Sequence, residues 1–339
     1  MVPPRRRRRT QLMRWLFLAS PLLGVAILQA YILVPGRPYM WGTARDSELA
    51  CVMKGPLTPF GRAMVVGALP RRSDSQSLVR PRRLGVFFLE TLTAELHHGC
   101  EFELTGELAV RLSRRNIWAI DPWTGRARRV AKIESQNPDT KGEFSSKEFC
   151  VAGGTVWFET FDRDWLDALF VQEAGSPKLV FRRNGLFQVL GCTGDKAYVA
   201  WDKGGNTVVS VADSTTNEVT KLLARSRDDC ILYRGDWGPN RSVYLKKFGH
   251  DFWFSLLSGG SDTRLAEVQN RYRAILGNGS VFFLTYDLAH EGGPISRVEE
   301  MDLRTRQMVQ TYTVKGVVES LAEMSLSSAE AESDRPRQR

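Results

Sequence analysis

The sequence is short of the residue types that most enzyme chemistry needs. It holds four histidines in 339 residues. Only His97 and His98 adjoin, and neighbours on a strand point to opposite faces rather than toward one ion. His250 beside Asp251 and His290 beside Glu291 fall near turns, at spacings that fit no metal site or catalytic triad. The five cysteines, Cys51, Cys100, Cys150, Cys192 and Cys230, include no C-x-x-C pair, which excludes a zinc knuckle and a thioredoxin-like redox site. In an oxidising compartment they allow one or two disulfides and leave at least one thiol over, since five is odd. No metal is expected. Beyond Gly42 there is almost no stretch of helical period, which excludes an α-helical body.

Acidic residues are absent from the first 42 positions, which hold seven arginines. Removing those seven from the formal +9 leaves +2 for residues 43–339. A body so nearly neutral lacks the electrostatic footprint of a nucleic-acid binder, and no nucleic-acid partner is expected.

Long apolar runs are also missing, with one exception. Residues 15–34 carry no charge and are interrupted only by Ser20, Pro21 and Gln29, about the length a helix needs to cross a bilayer core of roughly 30 Å. A cleaved signal peptide is the alternative. Its apolar region would usually run only about 7–15 residues, and Ala30, the best small-residue cleavage position, has Leu28 at the minus-three position. The reading is a retained signal-anchor. Six arginines precede the segment, against Arg37, Arg45 and Lys54 just after it. The N-terminus is therefore expected in the cytoplasm and the body outside it, periplasmic or extracellular.

The remainder of the chain is rich in short Val, Ile, Phe, Tyr and Trp runs separated by Gly, Asn, Asp and Ser, the pattern of an all-β chain. The runs recur. Aromatic strand cores centre on Trp118, Trp157, Tyr198, Tyr244 and Phe282, spaced 39, 41, 46 and 38 residues apart. An Asp-x-x-Thr turn recurs with them, at Asp121 and Thr124, Asp213 and Thr216, and Asp302 and Thr305. There the Asp carboxylate is expected to accept from backbone amides of a tight hairpin. A period near 40 with several strands per unit indicates propeller blades, since each small sheet buries its faces only against the next. Five blades span residues 103–314. A sixth is assembled from 60–100 together with 317–326, so that the two termini share one blade and close the ring.

The stretch Trp118-Ala119-Ile120-Asp121-Pro122-Trp123-Thr124-Gly125 resembles the Asp-x-x-Thr-Gly turn of pyrroloquinoline-quinone-like and related β-propeller repeats. The resemblance implies architecture, a β-propeller of about five to six four-stranded blades. It does not extend to the cofactor, because the chain has no adjacent cysteine pair of the kind quinone-dependent dehydrogenases place over theirs. No cofactor is expected. The organisation is then 1–14 as a basic cytoplasmic tail, 15–34 as a transmembrane helix, 35–62 as a linker, 63–326 as the propeller and 327–339 as a disordered tail.

Carboxylates cluster at Asp162 and Asp164, at Asp228 and Asp229, and at Glu299 and Glu300, where loops of different blades could pair them for glycoside chemistry. Arginines cluster more conspicuously, at Arg71–Arg72, Arg80 with Arg82 and Arg83, Arg111 with Arg114 and Arg115, and Arg182 with Arg183. The foremost group is Arg126, Arg128 and Arg129, a candidate surface for an acidic partner. Asn240-Arg241-Ser242 and Asn278-Gly279-Ser280 match the N-glycosylation pattern and also stand where turn residues are expected. The functional expectation is a membrane-anchored binding module for a protein or an acidic envelope component. An extracytoplasmic hydrolase or lyase acting on glycans is the alternative.

Overall fold

The computed structural model describes residues 37–58, 61–71, 78–89, 100–102, 106–112, 116–132, 149–161, 166–173, 175–185 and 187–324. The expected anchor at 15–34, the basic tail before it and the tail at 327–339 lie outside these residues. Among the described residues no helix is long and apolar enough to cross a membrane.

Six sheets, antiparallel except for one short edge pairing, succeed one another as blades. The first contains β1 (Tyr39–Met40), β2 (Glu48–Thr58), β3 (Gly61–Pro70) and, after the short β4 (Leu78–Val79), β5 (Arg82–Leu89). Blade two is β6 (Cys100–Phe102), β7 (Leu108–Arg111), β8 (Asn116–Asp121) and β9 (Arg126–Lys132). Blade three is β10 (Phe149–Ala152), β11 (Thr155–Phe161), β12 (Asp167–Gln172) and β13 (Lys178–Arg183). Blade four is β14 (Phe187–Cys192), β15 (Lys196–Lys203), β16 (Asn206–Asp213) and β17 (Val219–Ser226). Blade five is β18 (Cys230–Trp237), β19 (Arg241–Phe248), β20 (Asp251–Ser258) and β21 (Ser261–Glu267). Blade six is β22 (Arg271–Leu276), β23 (Ser280–Asp287), β24 (Ile295–Asp302) and β25 (Met308–Lys315). The last strand, β26 (Val317–Ala322), leaves blade six and pairs with β2 as the innermost strand of blade one. The ring is closed by joining its two ends, as the terminal sequences suggest. Neighbouring innermost strands touch along β10, β14, β18 and β22, and again at β26 and β6.

The core is divided into six wedges, one between each pair of adjacent blades. Leu49, Phe282, Val298 and Leu321 fill the wedge between blades six and one, and Val52, Phe87, Leu108 and Ile120 the next. Ile117 with Val156, Trp157 with Val199, Tyr198 with Trp237 and Tyr244, and Phe254 with Phe283 fill the other four. Inner strands are covered on both faces, so they read as nearly continuous apolar runs rather than alternating ones. β23, Ser-Val-Phe-Phe-Leu, is buried over its first five residues.

This explains two departures from the sequence reading. The stretch 35–62, expected as a linker, contains β1 and β2, and β2 pairs with both β3 and β26. Its Gly55 and Pro56 mark a bulge, since Lys54 faces Met64 and Leu57 faces Arg62 with only Ala63 between. A side chain on Gly55 would come within 2.8 Å of the Ala63 carbonyl oxygen. The second departure concerns phase. Trp157, Tyr198, Tyr244 and Phe282 lie on second strands, but Trp118 lies on β8, the third strand of its blade.

The Asp-x-x-Thr turns join third to fourth strands in blades two, four and six. Asp121 Oδ1 accepts from the amides of Trp123 (2.9 Å) and Thr124 (3.1 Å), and Thr124 Oγ1 donates to Oδ2 at 2.7 Å. Asp213 accepts from the Thr215 and Thr216 amides, and Asp302 from the Thr305 amide and hydroxyl. These bonds hold the Asp213 and Asp302 carboxyls below the usual carboxylate range. The residue four after each Asp is left-handed, namely Gly125 (φ 68°), Asn217 (φ 56°) and Arg306 (φ 58°). Only glycine takes that conformation without a Cβ penalty. Arg306→Gly is therefore expected to stabilise the protein by about 0.5 kcal/mol, and Gly125→Ala to destabilise it by about 1–2 kcal/mol; shifts of the opposite sign in denaturant titrations would refute the assignment.

Every outermost four-strand edge carries a bulge. One residue is skipped against the third strand at Leu84, Val130, Val180, Leu222, Leu265 and Val309. Each is aliphatic, and each adds local twist. β1 then covers part of the β5 edge, and β4 runs parallel along β25.

Polar ties cross the wedges. Cys150 on β10 and Cys192 on β14 form a disulfide, with Cα atoms 5.9 Å apart, joining blades three and four. Cys51 and Cys230 are buried thiols, pushed by burial up to about 12 and about 11. Blades four and five are tied by Asp262, whose carboxylate accepts from Arg225 Nη2 (2.8 Å), Lys246 Nζ (2.6 Å) and Tyr244 Oη (2.8 Å). Burial raises the Asp262 pKa, but the bonds from Lys246, Arg225 and Tyr244 outweigh it and hold the carboxyl below its ordinary range. A carboxylate depressed on folding contributes stability that is complete above its unfolded pKa of about 3.9 and is lost as pH falls through the folded value. Asp262→Asn should cost about 2 kcal/mol near neutrality and flatten the acid limb below about pH 4. Urea unfolding across pH checks this, and an acid limb as steep in the variant as in the parent would count against it.

Candidate binding site at the ring axis

At one end of the axis β18, β22 and β26 finish side by side at Trp237, Leu276 and Ala322. They enclose a cavity of about 360 Å³. Its floor is apolar, made by Ile275, Leu276, Leu321 and Ala322, and its rim is polar, with Asn240, Arg241, Asn278 and Glu323. Two tight turns build the rim. Gly238 N donates to Arg241 O (3.1 Å), and Gly277 N donates to Ser280 O (2.8 Å). A Cβ on Gly277 would lie 2.5 Å from Glu323 Oε2 and 2.9 Å from the Phe282 ring, so a larger residue here would displace the Glu323 carboxylate.

The charged groups of the rim are held by backbone. Asp236 Oδ1 accepts from the Trp237 amide (2.9 Å), and Oδ2 accepts from the Leu276 amide (3.0 Å) across the blade boundary. Glu323 Oε2 accepts from the Asn278 amide (2.7 Å), and Oε1 pairs with Arg71 (2.6 Å). Arg241 donates to the carbonyls of Gly277 and Asn278. Asn278 Nδ2 donates to Met324 O at 2.9 Å. Each carboxylate thus has both oxygens engaged as acceptors, which suits shape and recognition rather than proton transfer.

The arginines singled out in the sequence do not form one surface. Arg126, Arg128 and Arg129 lie on β9, the outer strand of blade two, all exposed. Adjacent strand residues face opposite ways, so Arg129 is turned from the other two, and Arg128 Nη2 pairs with Glu107 at 2.7 Å. Arg183 stacks over Trp201 at 5.0 Å, and Arg82 pairs with Glu48. Glu299 and Glu300 pair with Arg271 and Arg71 respectively. Asp228 and Asp229 form a short 3₁₀ turn between blades four and five. His250–Asp251 and His290–Glu291 lie in second-to-third strand connections, at the end of the ring opposite the cavity. His97, His98, Asp162, Asp164, Arg72, Arg114 and Arg115 lie outside the described residues. Among the described residues no group of three or more His, Cys, Asp and Glu side chains is placed to hold a metal.

Asp236, Arg241, Asn278 and Glu323 were not singled out as a site from sequence. The one signal present was the pair Asn240-Arg241-Ser242 and Asn278-Gly279-Ser280, whose turns are adjacent at the axis.

No family model matches the chain, and no curated protein matches it in sequence. Among solved structures it is similar to TolB from Acinetobacter baumannii, with a TM-score of 0.53 and 14% identity over 90% of this chain and 71% of that one. A putative TolB from Agrobacterium tumefaciens gives a TM-score of 0.46 and 12% identity, covering 81% and 93%. An oligogalacturonate lyase in complex with manganese gives 0.44 and 10%, covering 80% and 76%. At such identities the first likeness concerns the fold alone, and it agrees with the propeller architecture.

Proposed function

We propose that the chain is a binding module, a propeller held outside the cytosol by residues 15–34, whose axial mouth receives a segment of a partner protein or envelope component. The axial cavity carries this reading. It combines an apolar floor with rim groups already fixed by backbone bonds, so little ordering is needed when a ligand arrives. The disulfide between Cys150 and Cys192 fits an oxidising compartment. The glycan hydrolase or lyase reading needs a carboxylate or histidine free to move a proton, and the rim carboxylates are instead engaged by amides and Arg71.

The test is photocrosslinking of the full-length protein in its own membranes from position 240 at the mouth, with position 222 on the outer rim as reference. One dominant partner captured from 240 and not from 222 would support the module. Equal capture from both positions would overturn the axial assignment, and turnover of a glycan by the purified protein, abolished by a rim carboxylate substitution that leaves it folded, would replace it with the enzyme reading.

A further inference from the structure

Beyond the cavity, deeper along the axis, the innermost strand of blade five breaks its ladder. Ile231 faces Leu245 and Asp236 faces Val243, so the four residues 232–235 occupy the place of one, Tyr244. A bulge of this kind re-aims side chains. Leu232 turns into the wedge between blades four and five, where it is buried. Arg234 goes instead toward blade six, its guanidinium carbon 5.6 Å from the centre of the Tyr272 ring.

Tyr272 is itself the skipped residue of a bulge, since Arg271 faces Thr285 and Arg273 faces Leu284. Its ring packs on Tyr286 at 5.1 Å, and Tyr286 Oη donates to Val318 O on β26 at 2.8 Å. The platform under Arg234 is therefore fixed by two further strands. Of the other charges nearby, Glu319 pairs with Lys54, Arg271 with Glu299, and Asp236 accepts from two amides, and Arg273, next to Tyr272, is a second cation beside the platform. Arg234 is partly buried, its Nε is enclosed without a hydrogen-bond partner, and among the described residues it meets no carboxylate. A cation withdrawn from water without an opposite charge is unfavourable, and a guanidinium fork presents two parallel donors that match an oxyanion.

We propose that Arg234 over Tyr272 is an oxyanion-binding site, taking the carboxylate or phosphate group of a ligand that enters the ring axis. The site stands on its own geometry and does not depend on what occupies the cavity at the mouth.

Full-length protein in discs of uncharged lipid would be melted by tryptophan fluorescence, at constant ionic strength, against inorganic phosphate and against acetate. A saturable rise in Tm is expected with one of them, because a ligand bound only by the folded state stabilises it. Preference for phosphate assigns a phosphorylated ligand, and preference for acetate a carboxylate. In Arg234→Met the response should vanish, while without oxyanion this variant should melt above the parent, its unpaired charge gone. Arg234→Lys keeps the charge and loses the fork, so half-saturation should weaken by at least about tenfold, and this variant decides the matter if Arg234→Met does not fold. Parallel responses in the parent and the arginine variants, or no saturable response of the parent to either anion, would overturn the proposal.

Discussion

Gly235→Ala is expected to lower stability by at least about 4 kcal/mol, the largest effect of any glycine-to-alanine change among the described residues. In the β18 bulge the backbone of Gly235 lies directly on β19. A Cβ at 235 would sit inside the van der Waals envelope of the Val243 carbonyl oxygen, 2.7 Å from the carbonyl carbon and 2.8 Å from Tyr244 Cα. Neither neighbour is free to retreat. Val243 and Tyr244 are fully buried; Tyr244 stacks on Trp237 with ring centres 5.8 Å apart and donates to Asp262. Relief would have to come from moving a central strand between two filled wedges, and packed interiors resist this. Gly194→Ala is the matched control, having nothing within 4 Å of its virtual Cβ, and should stay within about 0.5 kcal/mol of the parent. Urea unfolding of the pair measures the difference. A Gly235→Ala protein within about 1 kcal/mol of the parent would mean that β18 does not approach β19 in this way.

Arg71→Ala should cost about 3 kcal/mol and lower Tm by about 5 °C for a ring of this size. Arg71 comes just after β3 in blade one, and its guanidinium bridges Glu300 of blade six and Glu323, just past the closing strand β26. Glu300 is only 4% exposed and also accepts from Ser280 Oγ (3.0 Å) and Tyr312 Oη (3.2 Å). Removing the cation leaves a buried carboxylate uncompensated, with a second carboxylate near it. That is the situation in which breaking a buried pair costs most, and the partial exposure of Arg71 keeps the figure at the low end of the usual range. Because the three residues join the beginning and the end of the ring, the loss should be felt first at the closure. Amide exchange in Val317–Ala322 should rise before that of β15 or β19. Glu300→Gln in the Arg71→Ala background should recover a large part of the loss, a coupling that a double-mutant cycle measures. Additive losses would show that the two side chains do not act on one another.

The ring and its closure were legible because turn chemistry and aromatic runs repeat at near-constant spacing, and because an apolar run at 317–326 had no partner of its own. The strand at 48–58 was not legible. Its run Leu-Ala-Cys-Val-Met does not alternate, being covered on both faces, and the Gly and Pro that mark its bulge look the same in sequence as those of a linker. The axial site escaped for a different reason. Asp236, Arg241, Asn278 and Glu323 come from three blades, and nothing in local spacing says which inner-strand turns meet at the mouth. The arginine trio of β9 shows the converse: three cations within four positions look like a patch until the alternation of a strand divides them.

The skipped aliphatic residues of the six fourth strands bear on how copies of this protein would meet. A flat outer strand would offer its unpaired amides and carbonyls as a template for another chain, and a ring with six such sides could polymerise in every direction of its plane. Here each fourth strand is interrupted at one step, at Leu84, Val130, Val180, Leu222, Leu265 and Val309, and β1 and β4 cover part of two of the six sides, so an incoming strand would lose register after a few residues. Crowded side by side, the rings should therefore resist joining strand to strand.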